Sequence, residues 1–254
     1  MTTHLRLRRA GGGRVEPIPG GWRLTLPPGP AGVYRLAQVD DYAGRSRRRF
    51  PHHPPARLQV RARVHNAGAA GTWGWGWWND PFGLGLGYGG GLRLPTWPQA
   101  AWFFGAAEPN FLSFHPDRAP ARGFFAASLR GCRWPAWWAA LLGLPTLPLL
   151  LHPRGREALR RAVARCVAQH GVALNHLDPA QWHTYALEWQ PDGVRVSVDH
   201  TEVAVLRPAP RGPLGLVIWV DNQFAAWEPG HRPRWGLLPT PQPVVVEMLW
   251  EEGA

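Results

Sequence analysis

Lysine is missing from this chain altogether, so all 28 of its basic side chains are arginine. Isoleucine occurs only at Ile18 and Ile218. Abundant Arg, Gly, Ala and Pro beside scarce Lys and Ile is the pattern of a GC-rich coding sequence. The net charge of +11 is therefore not in itself a nucleic-acid footprint, and only local clusters of charge are informative. Zinc-finger spacing, a P-loop, a dinucleotide fingerprint and a G-x-S-x-G elbow are all absent, which leaves those chemistries without a motif and gives no specific nucleic-acid signal. Cysteine is limited to Cys132 and Cys166, too few for a disulfide framework, and both are expected to be reduced thiols. The first residues are basic but lack the apolar run of a signal peptide, so the expected location is cytoplasmic.

Tryptophan, by contrast, is present 16 times, and 45% of the chain is hydrophobic, ample for one core. A length of 254 residues fits a single domain, 1–254. Strand patterns fill both ends. Leu58, Val60, Ala62 and Val64 alternate with Arg57, Gln59, Arg61 and Arg63, predicting a half-buried strand with an arginine face. Leu214 to Val220 is apolar throughout, as a strand covered on both faces would be. Val244, Val246, Met248 and Trp250 alternate in a closing strand expected to pair near the start of the chain. Many short strands with Gly and Pro turns predict an all-β protein of two antiparallel sheets.

The clearest local signal is Trp182 to Asp199, W-H-T-Y-A-L-E-W-Q-P-D-G-V-R-V-S-V-D. Tyr185, Leu187 and Trp189 share one strand face. Gln190-Pro191-Asp192-Gly193 supplies turn chemistry, and Val194, Val196 and Val198 share a face of the return strand. Upstream, Trp73, Trp75 and Trp77 alternate with Gly74 and Gly76, and Leu94 to Gly105 holds Trp97 and Trp102.

These segments resemble the concanavalin-A-like lectin/glucanase superfamily, in particular its family-16 glycoside hydrolases, over roughly residues 55–110 and 180–250. The family's hairpin reads W-H-x-Y-x-x-E-W-x-P, and its catalytic strand reads W-P-x-x-G-E-I-D-I-x-E. The resemblance implies a jelly-roll β-sandwich of concanavalin-A type. It also implies that two glutamates and an aspartate should fall among Gln99, Ala101, Phe103 and Phe104, where no acid stands. A retaining glycosidase needs a carboxylate nucleophile and a carboxylic acid close together. The expected function is thus a non-catalytic carbohydrate- or glycan-binding protein. The enzyme alternative, a hydrolase with relocated carboxylates, has Asp80, Glu108, Asp117, Asp221 and Glu228 to draw on, and no spacing among them selects a pair.

For carbohydrate, Trp73, Trp75 and Trp77 are either a stacking platform for pyranose rings or core filling, since period 2 serves both. Family-16 enzymes use the corresponding strand to line the sugar cleft. Trp97 and Trp102 extend the same aromatic group, and Asp221-Asn222-Gln223 is the expected hydroxyl-recognition element. Nothing in the pattern calls for a cofactor, and a structural calcium ion is not indicated.

Residues 131–177 interrupt the strand pattern with an insertion. Trp134 to Leu151 carries no charge and is broken by Pro135, Pro145 and Pro148, which argues against one spanning helix. From Pro153 to His170, Leu159, Val163, Cys166, Val167 and His170 recur at helical spacing, with Arg156, Arg160, Arg161 and Arg165 on other faces and Gly171 as the stop. The insertion is read either as a lid over one sheet with its arginines solvated, or as a peripheral contact with an anionic membrane surface through Trp137, Trp138, Leu141, Leu142 and those arginines.

Overall fold

The structure, a computed structural model, describes residues 5–81, 94, 96–115, 120–133 and 151–251. Trp137, Trp138, Leu141, Leu142, Asp117 and the glycine-rich run 83–91 lie outside the described residues. In chain order the elements are β1 (Arg6–Ala10), β2 (Arg14–Ile18), β3 (Gly21–Leu26), β4 (Leu36–Asp40), β5 (Ala56–His65), β6 (Thr72–Trp78), β7 (Gln99–Ala106) and β8 (Gly123–Gly131). Helix α1 (Pro153–Cys166) follows, then β9 (Val167–Ala173), β10 (His183–Trp189), β11 (Val194–Val198), β12 (Thr201–Leu206), β13 (Gly215–Asp221), β14 (Gln223–Ala226), β15 (Arg234–Leu237) and β16 (Val244–Trp250).

Among the described residues these strands form two seven-stranded antiparallel sheets packed as a jelly-roll sandwich, with β14 and β15 as a separate pair. Sheet one runs β1-β4-β13-β6-β7-β8-β9, and sheet two runs β12-β11-β10-β5-β16-β3-β2. The expected hairpin is β10–β11, with Tyr185 opposite Val198, Trp189 opposite Val194, and the amide of Gln190 donating to the Gly193 carbonyl at 2.9 Å. The closing strand β16 pairs with β3 near the start of the chain, as expected, and with β5 on its other side. Strand β13 is buried along its whole length.

The arginine face of β5 lies outside sheet two and is matched by acid. Glu247 accepts from Arg23 at 2.6 and 2.9 Å and from Arg63 at 2.6 Å. Burial alone would raise the Glu247 carboxyl, but the two guanidinium groups outweigh it and hold the group below its usual range. Glu188 serves Arg57 and Arg195 in the same way, and Arg63 also lies over the Trp182 ring at 4.6 Å.

The insertion differs from the sequence expectation in two respects. The helix stops at Cys166, and the chain continues without a break into β9, whose Ala173 faces Phe125 and whose Val167 faces Gly131. Val167 and His170 hold helical spacing, yet the open edge of β8 offers seven residues of pairing that a longer helix would forgo. Gly171 sits within β9 and ends no helix. The second difference is Arg160, which is 3% exposed and belongs to the packed side of α1, whereas Arg161 and Arg165 are exposed as expected.

Candidate functional site

Sheet one has two faces, and alternation along β6 assigns its indoles to the inner one. Trp73, Trp75 and Trp77 are 4%, 1% and 1% exposed, packed against Phe103, Phe124, Tyr185 and Trp189 from both sheets. None of the three presents a ring face to a ligand, so the stacking-platform expectation is corrected to core. Gly74 and Gly76 turn to the outer face because nothing larger fits there. A β-carbon on Gly74 would lie 2.8 Å from the Trp219 ring and 2.2 Å from the Phe103 carbonyl, and one on Gly76 would lie 2.7 Å from the Trp102 β-carbon.

The outer face carries a second aromatic layer. Trp78 and Trp219 stack at 6.5 Å with 5° between their planes, and Trp102 meets Trp219 at 5.8 Å and Phe104 at 5.0 Å. On β7 the residues of this face are Ala100, Trp102, Phe104 and Ala106, while Ala101 and Phe103 point into the inter-sheet core. The outward row of β7 therefore carries no carboxylate. Gln99, at its start, is committed to the Gly131 carbonyl and the Arg211 amide. Trp78, Trp97 and Trp102 are half-buried and gather with Phe114 and Val163 around Ala100, Leu129 and Val167.

The acids of this face are structural. Asp221 is buried, accepting from the Thr72 hydroxyl at 2.8 Å and the Gln223 amide at 3.1 Å, with Trp219 Nε1 donating to the same hydroxyl at 2.9 Å. Burial pushes its carboxyl up to about 7, against the pull of those hydrogen bonds. Asn222 is fully buried, and both of its amide hydrogens and one acceptor position are taken. Its Oδ1 accepts from the Arg35 amide, and its Nδ2 donates to the Val33 and Leu238 carbonyls, so it ties loops together and recognises no hydroxyl. Gln223 begins β14, half-buried. Trp97 and Asn79 belong to one loop junction, the Asn79 amide donating to the Trp97 carbonyl at 2.9 Å. Asp80 is buried in a left-handed turn after β6, Glu108 is exposed and paired with Arg122, and Glu228 pairs with Arg234.

Sequence reasoning missed Asp40 and Asp41, two consecutive acids at the end of β4. Asp40 accepts from Gln38 at 2.8 Å and the Ala43 amide at 2.7 Å and lies 3.6 Å from Arg8. Burial raises its carboxyl above the usual range despite these partners. Asp41 takes the Leu216 amide and His52 Nε2, at 2.9 and 2.6 Å. The signal that could have found them is a paired acid inside an otherwise apolar strand, A-Q-V-D-D-Y. Asp40 and Asp221 share the outer face, but Asp40 pairs with Val217, four residues from Asp221 on β13. At about 3.3 Å per residue that is about 13 Å, beyond the roughly 5–9.5 Å of glycosidase carboxylate pairs.

Open space lies beside the aromatic gathering, against α1. A cleft of about 410 Å³ is lined by Phe114, His115, Glu157, Arg160, Arg161, Ala164, Arg165 and Pro229. A second of about 270 Å³ adjoins it through His115, Ala164 and Arg165 and reaches Arg207. The helix is held over this space by its own arginines. Arg156 donates to the Gly230 carbonyl at 3.1 Å, and Arg160 donates to the carbonyls of Trp227 and Ser113 at 3.2 and 2.5 Å. Among the described residues no group of three or more His, Cys, Asp or Glu side chains gathers to hold a metal ion, and no helix is long and apolar enough to cross a membrane.

No family model and no curated protein matches the chain. Solved structures do. The laminarinase catalytic domain from Thermotoga maritima is 11% identical with a TM-score of 0.48, covering 98% of this chain and 90% of that one. The beta-glucanase of Bacillus licheniformis is 11% identical with a TM-score of 0.46, covering 98% and 91%. A glycoside hydrolase family 16 endo-glucanase from Bacteroides ovatus is 12% identical with a TM-score of 0.45, covering 98% and 93%. At these identities the likeness is one of chain path, and the sandwich described above is similar to these glucanases in fold.

Proposed function

We propose that this protein is a non-catalytic carbohydrate-binding protein built on a glucanase-like sandwich. The observation that carries the reading is the outward row of β7, where Ala100, Trp102, Phe104 and Ala106 supply an indole and no carboxylate beside an open cleft. Half-exposed aromatic rings suit the C–H faces of pyranose rings, and a site lacking paired acids holds a glycan without cleaving it. Phe114 lines the cleft, and Trp78, Trp97 and Trp102 belong to the same aromatic cluster next to it.

Purified protein should bind at least one polysaccharide of a panel that includes laminarin, and release no reducing ends from β-1,3/1,4-glucans above background. Trp102→Ala should weaken that binding at least about tenfold, about 1.4 kcal/mol, with the circular-dichroism spectrum of a folded sandwich retained. Product formation abolished by mutating Asp80, Glu108, Asp117, Asp221 or Glu228 would show instead a hydrolase with relocated acids.

A further inference from the structure

We propose that the cleft between α1 and the segments around Ser113–His115 and Trp227–Gly230 binds an acidic polysaccharide through carboxylate or sulfate groups spaced along its chain. This rests on the carbohydrate reading and names the ligand's charge. The cleft wall holds a buried cation that, among the described residues, forms no direct ion pair and feels Glu157 only at longer range. Arg160 is 3% exposed, and both of its hydrogen bonds go to carbonyls. A guanidinium does not shed its proton at ordinary pH, so the charge stays in the wall, held by neutral carbonyls and balanced only in part by Glu157. Among the described residues, Glu157 is the one acid lining either cavity.

Arg161 and Arg165 extend the same positive strip, one helical turn apart on α1, and among the described residues neither has a carboxylate within ion-pair distance. Like charges at this spacing weaken a helix slightly. Arg207 continues the strip in the adjoining cavity, its only described ion pair a 3.5 Å contact with the exposed Asp192. The contrast is with sheet two, where Glu247 and Glu188 each serve two arginines. Arginine-rich composition alone would leave both regions alike. Phe114 and Pro229 add apolar wall for a sugar ring, and two joined cavities fit a chain with repeated charges better than a single small ion. A flat bilayer does not enter a concave site, which favours the polysaccharide over a lipid surface.

The test titrates the full chain with polygalacturonate, chondroitin sulfate, laminarin and phosphatidylglycerol vesicles. An acidic polysaccharide should bind, its affinity should fall as salt rises, and Arg161→Ala with Arg165→Ala should lower it at least tenfold while leaving the melting temperature unchanged. Binding of laminarin alone would overturn the acidic ligand and leave the carbohydrate reading standing. Binding of no polysaccharide would overturn both. Binding of vesicles alone would transfer the site to a membrane, and acidic-polysaccharide binding indifferent to the double substitution would place it elsewhere on the molecule.

A separate observation concerns the two cysteines. We infer that Cys132 and Cys166 form a redox staple at the base of α1. The register that sets Gly131 opposite Val167 carries on to set Cys132 opposite Cys166, and the Cys132 amide donates to the Cys166 carbonyl at 2.7 Å. Directly opposed residues of this kind have α-carbons about 5.5 Å apart, inside the roughly 4.4–6.8 Å span of a disulfide. Both thiols are half-buried, and they are the chain's only cysteines. A small disulfide such as oxidised glutathione supplies the oxidant. One cysteine thiolate attacks it and releases one glutathione thiolate. The other then displaces the second glutathione, so two protein thiols are oxidised and one disulfide is reduced to two thiols.

Incubation of the full chain with oxidised glutathione should remove two hydrogens by intact mass and raise the melting temperature by several degrees, because the bond closes the loop that contains α1. Cys166→Ser should stop at a single glutathione adduct. A doubly glutathionylated monomer or a disulfide-linked dimer in place of the internal bond would overturn the staple.

Discussion

Trp75→Ala should lower the unfolding free energy by about 3–5 kcal/mol, measured by urea denaturation, whatever its effect on glycan binding. The indole is enclosed between the sheets, with Tyr185 at 5.0 Å, Trp73 at 5.9 Å and Phe103 at 6.0 Å, so its removal leaves a cavity that strands fixed in a ladder cannot close. Trp75→Phe should cost much less. Its ring keeps most of the packing, and it also removes the Trp75 Nε1 donor, which is buried without an acceptor and costs about 1–3 kcal/mol as it stands. A fully stable Trp75→Ala variant that had lost glycan binding would return β6 to the role of a stacking platform. Trp102 is the control, because it faces the other way and is half-exposed.

Asp221 should cost the protein stability as pH rises from about 4 to about 7, and Asp221→Asn should remove that contribution. The folded-state carboxyl is pushed up to about 7, whereas in the unfolded chain it titrates near its ordinary value of about 3.9. Across that window the folded state keeps a proton that the unfolded state has released, so each step up in pH favours unfolding. The accumulated effect is up to about 4 kcal/mol, fully absent below the unfolded value and complete above the folded one. Asparagine can still accept from the Thr72 hydroxyl and the Gln223 amide without taking on charge. The variant should therefore melt higher than the parent at about pH 8 and match it more closely near pH 4. Parallel melting curves for the two proteins across this range would remove Asp221 as the source.

Much of the sandwich is legible without coordinates. The β10–β11 hairpin follows from a strict alternation of large apolar residues around a Pro-Asp-Gly turn, and β13 from an unbroken apolar run. The lack of acids along β7 is equally legible, since it is a statement about residue type. The candidate site was harder. Alternation shows that Trp73, Trp75 and Trp77 share a face and cannot say which, because a strand of period 2 looks the same from either side. The paired Asp40 and Asp41 pass for a turn until Gln38, Arg8 and His52 are seen around them.

What the sequence by itself determined is therefore local: strand alternation, turn chemistry, the missing carboxylates of β7, and a helix opening at Pro153. Those properties depend on neighbours a few residues apart. Only the tertiary structure decided which indoles are core, where α1 gives way to β9, and that Arg160 is enclosed while Arg161 and Arg165 stand free. Each of these is settled by a segment far along the chain. Sheet two covers the inner face of β6, the edge of β8 captures residues 167–173, and the carbonyls of Ser113 and Trp227 receive a guanidinium that helical periodicity alone had assigned to solvent. Burial is a property of what arrives from elsewhere, and for this chain it is burial that separates core from site.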